Sequence, residues 1–77
     1  MYTEEMAKAF HSIPAPEGFA VDLYDAENWI TIAVDPNSLV NKSEEHLKAI
    51  VDYINSVKLA LENNGAIVLV TRDTLEE

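Results

Sequence analysis

The sequence predicts an α+β fold of order α-β-β-α-β: a three-stranded sheet built on a β-hairpin, with one long helix packed on one face and a short N-terminal helix. Three observations carry this prediction. Residues 19–34 form two alternating apolar runs joined by a short polar turn, which is the period of paired strands. Residues 43–64 repeat apolar side chains at helical spacing between a serine cap and an Asn-Asn-Gly stop. Residues 66–72 are rich in β-branched side chains and follow the helix directly, as a crossover strand would.

Taken in order, residues 3–11 read as a helix. Thr3 is its N-cap, and Glu4 and Glu5 stand at the positive end of the helix dipole. Met6, Phe10 and Ile13 make an apolar stripe that Tyr2 extends backwards. Pro14 and Pro16 end the helix, and Ala15-Pro16-Glu17-Gly18 reads as a turn with proline at its second position. In the hairpin, pairing Tyr24 with Trp29 across residues 25–28 sets Leu23 opposite Ile30, Val21 opposite Ile32 and Phe19 opposite Val34. That face is wholly apolar, and a one-residue slip would bring Asp22 into it, so the pattern selects the face. The second face holds Ala20, Asp22 and Tyr24 on one strand and Trp29, Thr31 and Ala33 on the other.

Asp35-Pro36-Asn37-Ser38 reads as a type I turn, with Leu39 and Val40 leading into the long helix. Ser43 caps that helix, followed by Glu44 and Glu45. Its stripe is Leu47, Ile50, Val51, Ile54, Val57 and Leu61, bordered by Ala49, Tyr53 and Ala60. Gly65 supplies the left-handed residue that stops it. The last strand points Ile67 and Leu69 to one face and Val68 and Val70 to the other, and the acidic residues 73–77 are expected to fray.

The expected strand order is 2-1-3, with the third strand beside the first and antiparallel to it. Order 1-2-3, with the third strand parallel to the second, is the alternative. A strand apolar on both faces calls for cover on both. Either the N-terminal helix lies over the second face, with Met6 and Phe10 on Val68 and Val70, or the third strand pairs with its copy in another chain. In the latter case Val68 and Val70 are dimerisation residues.

Composition narrows the functional classes. Seventy-seven residues make one small domain. Fourteen acidic residues against five basic ones give a formal net charge of −9. This balance opposes binding to a nucleic-acid backbone or an anionic membrane, and it suits a protein partner with a basic surface, or solubility alone. The chain has no cysteine, its longest apolar run (residues 66–70) cannot span a bilayer, and residues 1–10 do not read as a signal peptide. A cytoplasmic location is the expectation. His11 and His46 have no partner at metal-ligand spacing, no nucleophile elbow occurs, and two glycines cannot build a phosphate loop. The expectation is a protein that is not an enzyme and takes no metal or cofactor.

The informative feature is where the charge lies. No lysine or arginine occurs in residues 9–41, which carry Glu17, Asp22, Asp25, Glu27 and Asp35 around Tyr24 and Trp29. Aromatic anchors inside a charged rim are the chemistry of a docking surface. The candidate protein-binding residues are therefore Asp22, Tyr24, Asp25, Glu27, Trp29 and Asp35, in a small acidic inhibitor or adaptor. The plainer reading is that the rings serve strand pairing beneath the N-terminal helix and the acids serve turns. A self-associating scaffold subunit is the alternative function, and a nucleic-acid mimic a further one. Small, acidic, cysteine-free domains are common among phage-encoded proteins that block host machinery; the likeness is one of composition.

Overall fold

A computed structural model describes residues 2–72. The elements are α1 (Glu4–His11), β1 (Asp22–Asp25), β2 (Ile30–Val34), a 3₁₀ turn at Pro36–Leu39, α2 (Glu44–Asn63) and β3 (Val68–Arg72). The acidic tail expected over residues 73–77 lies outside the described residues.

Each element is bounded by the residue types that its physics requires. The Thr3 hydroxyl accepts the Met6 N–H at 3.2 Å and starts α1. Ser43 does the same for α2, accepting the His46 N–H at 3.0 Å. α2 ends in a Schellman arrangement. The Gly65 N–H donates to the Glu62 carbonyl at 3.0 Å and the Ala66 N–H to the Leu61 carbonyl at 3.1 Å. Gly65 stands at φ +96, where a side chain would be strained, and Leu61 and Ala66 both enter the core.

Two turns differ in detail from the sequence expectation. The turn after the prolines is closed by the Phe19 N–H donating to the Pro16 carbonyl at 3.1 Å. Pro16 is therefore its first residue, and Gly18 at φ +73 is its third. The Asp35 carboxylate accepts the Asn37 N–H at 3.0 Å, and the turn continues as a 3₁₀ helix through Leu39, which packs on the core.

The hairpin pairs Asp22 with Ala33, Leu23 with Ile32, Tyr24 with Thr31 and Asp25 with Ile30. This differs by two residues from the expected register. The Ala26 N–H donates to the Trp29 carbonyl at 2.8 Å, which leaves only Glu27 and Asn28 in the turn. A shift of two keeps every side chain on its face, so Phe19, Ile30, Ile32 and Val34 are still buried, with Val21 and Leu23 packed at their margin.

The sheet order is β1-β2-β3, with β3 parallel to β2, rather than 2-1-3. The composition of the strands explains the order. β2 carries no charge on either face and takes the centre, whereas β1 carries Asp22 and Asp25 and belongs at an edge, where charge also discourages stray pairing.

β3 aligns Val68 with Ile30 and Val70 with Ile32, so both valines sit on the core side of the sheet. Met6 of α1 joins the same buried cluster as Ile50, Tyr53, Val57 and Leu61 of α2. Both helices therefore cover one face, and α1 does not lie over the second face. The shortest dimension of the molecule is 14 Å, room for one sheet and one layer of helix.

The buried face of α2 is turned slightly from the expected stripe. Tyr53 lies inside it, edge-on to Phe19 with ring centroids 6.1 Å apart, while Val51 faces solvent. Both rings are buried, and the edge-on contact is a favoured geometry for an aromatic pair.

Candidate functional site

With both helices on one side, neither helix covers the other side of the sheet, which is called the open face. The register fixes what it presents. Side chains alternate along each strand, so the outward columns are Asp22 and Tyr24 on β1, Thr31 and Ala33 on β2, and Leu69 and Thr71 on β3. Across the sheet, one row reads Asp22, Ala33, Thr71 and the next Tyr24, Thr31, Leu69. Beyond the strand ends, Trp29 continues the β2 column and Ile67 the β3 column. The Ile30 N–H donating to the Ile67 carbonyl at 2.9 Å holds them side by side.

Tyr24 is 53% exposed and Trp29 41%, and Ile67 and Leu69 are exposed beside them. Thr31 is half-buried and Ala33 is buried. In the central column only Thr31 is partly accessible, between Tyr24 and Leu69, with Trp29 at the hairpin end.

The six hairpin residues singled out from sequence separate into three groups. Asp22, Tyr24 and Trp29 share the open face. Tyr24 and Trp29 are diagonal neighbours rather than a direct pair, since Tyr24 stands opposite Thr31. Glu27 sits in the turn beyond Trp29. Asp25 pairs with Ile30 and so belongs to the opposite side, where its carboxylate accepts the Tyr2 N–H at 3.1 Å. Asp35 lies past the far end of β2 and caps the 3₁₀ turn. Of the two β3 residues, Val68 is 7% exposed within the core and Val70 is 46% exposed.

Ile67 and Leu69 complete the face, and sequence reasoning did not include them. Their signal was the two-sided apolar pattern of residues 66–70, which locates a face only once the neighbour of β3 is known.

Charge on this face is one-sided. Lys8, Lys48 and Lys58 lie on the helices, and Lys42 precedes α2. No basic residue holds a position of the open face among the described residues. Asp22 stands at one end of it and Glu27 beyond the other.

Elsewhere, an open groove of about 450 Å³ runs between Pro14, Ala15 and Pro16 and the Ala49, Asp52 and Ser56 side of α2. The Tyr53 phenol at its floor is pushed above its ordinary value by burial. His46 uses Nε2–H to donate to the Glu17 carbonyl at 3.1 Å, tying α2 to the turn that carries Gly18. Among the described residues no three of His, Asp or Glu gather closely enough to hold a metal ion, and no helix is long and apolar enough to cross a membrane. Comparison with protein-family models, with curated proteins and with solved structures finds no match to this chain.

Proposed function

We propose that this chain is a small acidic protein-binding module, an inhibitor or adaptor in type, that docks the open face of its sheet on a basic site of a larger protein. The observation that carries the reading is the pair of exposed rings, Tyr24 and Trp29, set with Ile67 and Leu69 on a sheet face that neither helix covers. Aromatic anchors at the centre and carboxylates at the rim supply affinity and selectivity for a cationic surface. The reading assigns the chain no reaction. The Nε2 of His46 is engaged by a carbonyl.

Charge favours a basic partner over a face-to-face dimer of this chain. Two copies would approach with a formal charge of −9 each. A basic partner removes that repulsion and gains from it.

The test is a comparison of immobilised chains. Wild type should retain a partner that both Trp29→Ser and the double variant Asp22→Lys/Glu27→Lys lose, and the retention should weaken as salt rises. A retained set unchanged by both variants overturns the reading. Self-association through β3 keeps one supporting observation, that β3 is an edge strand with Leu69 and Val70 half-exposed. A dimer seen by light scattering and abolished by Val70→Lys would establish it. Nucleic-acid mimicry ranks lower, because Asp25 and Asp35 turn their carboxylates to backbone N–H groups of the chain itself.

A further inference from the structure

We infer that the partner element received by the open sheet face is a basic amphipathic α-helix. The inference rests on the docking reading above and goes beyond it by giving the ligand a shape.

β2 is paired on both sides, so the middle of the sheet offers no free N–H or C=O to an incoming strand. A strand or loop laid across this face would have to bury its own backbone groups unpaired, at a cost comparable to a lost hydrogen bond for each. A helix satisfies its backbone internally, and a sheet face is covered by a helix in the common layered architectures.

Three strands are roughly 10 Å wide, the footprint of a single helix 10–12 Å across with its side chains. Thr31 is half-buried between Tyr24 and Leu69, Trp29 stands at one end, and Ala33 is buried. A face about 14 Å long holds about nine helical residues, which present two or three apolar contacts at i, i+3 or i+4, and i+7.

Asp22 stands at one end of the face, Glu27 lies in the exposed turn beyond the other, and no lysine or arginine holds a position of its strand columns among the described residues. Cationic residues flanking the apolar stripe of a docked helix would meet the Asp22 carboxylate, and an acidic helix would meet like charge there.

The chain carries its own reporter, because Trp29 is the only tryptophan and stands exposed at one end of the open face. Three synthetic peptides of about 18 residues serve as probes. One patterns leucine and lysine with a helical apolar stripe, one permutes the same composition so that no stripe forms, and one replaces every lysine with glutamate. Binding is followed by Trp29 emission and by the peptide's gain of helical circular dichroism. The Leu–Lys helix should saturate the signal at least about tenfold more tightly than either control, and Thr31→Arg, which adds bulk and a cation, should weaken it by a similar factor. Far-UV circular dichroism checks that this variant is folded, and Glu27→Lys, in the exposed turn, gives a second test without touching a strand.

Equal binding of the striped and permuted peptides, or binding indifferent to both Thr31→Arg and Glu27→Lys, overturns the helix inference. If the peptides fail while capture of the partner still depends on Trp29, the docking reading stands and the ligand has another shape. If neither depends on Trp29, both readings fall.

Discussion

Trp29 and Ile30 are neighbours in sequence with opposite environments. Ile30 is fully buried against the helices, and Trp29 looks outward from the other side of the sheet. Urea denaturation of the two alanine variants should separate them. Ile30→Ala removes core packing and should cost about 2–5 kcal/mol, whereas Trp29→Ala should cost less than about 1 kcal/mol because its ring borders solvent. Equal costs would mean that the open face is covered. Ile32→Asp places an unpaired charge in the same core and should abolish the cooperative transition. A native circular dichroism spectrum for that variant would contradict the burial of this face.

Tyr53 gives a pH signature at the same scale. Its phenol lies above the ordinary value of 10.0 because burial disfavours the phenolate. A raised folded-state value means that the stability contributed is whole below the unfolded value of about 10 and is lost as pH climbs through the folded value. Tyr53→Phe should therefore flatten the decline of stability above pH of about 10. Tyr2 is raised for the same reason and leaves a residual slope. An unchanged alkaline profile in the Phe variant would show that Tyr53 is not the source.

At the scale of elements, local chemistry and packing divide the work. Caps at Thr3 and Ser43 and the stop at Gly65 act within a few residues, so they are visible in a sequence. The phase of α2 is different. Tyr53 and Val51 are both tolerable beside the stripe, and the choice between them depends on Phe19, which arrives from 34 positions earlier. Hairpin register is a similar case. Pairing Leu23 with Ile30 or with Ile32 keeps the same face apolar, and the two-residue turn decides for Ile32. The native chain has no cysteine, so paired cysteines can read the register cleanly. Tyr24→Cys with Thr31→Cys should oxidise to a disulfide in the folded state. Tyr24→Cys with Trp29→Cys should not, since diagonal positions lie about 7–8 Å apart. The reverse result would restore the Tyr24–Trp29 pairing.

For the whole molecule, the two-layer arrangement is what exposes a candidate docking face. Had α1 covered the second side of the sheet, Tyr24 and Trp29 would be core residues and the surrounding acids ordinary turn chemistry. Because Met6 joins α2 on the first side, the rings remain at the surface with Asp22 at one end of their face. The charge-reversal variant Asp22→Lys/Glu27→Lys should keep the thermal midpoint within a few degrees of wild type, since both residues are exposed, while weakening partner capture by about tenfold or more at low salt. Capture that persists unchanged at low salt would remove the acids from recognition.

The sequence by itself determined the elements and the inward face of each hairpin strand. Those features follow from nearest-neighbour rules: a period of two or of 3.6, a capping oxygen, a glycine at positive φ. Only the tertiary structure decided the strand order, the side taken by α1 and the membership of Ile67 and Leu69 in the open face. Each of these depends on which surface a nearly two-sided apolar element buries, and that choice minimises exposed area over the whole chain rather than within any one segment.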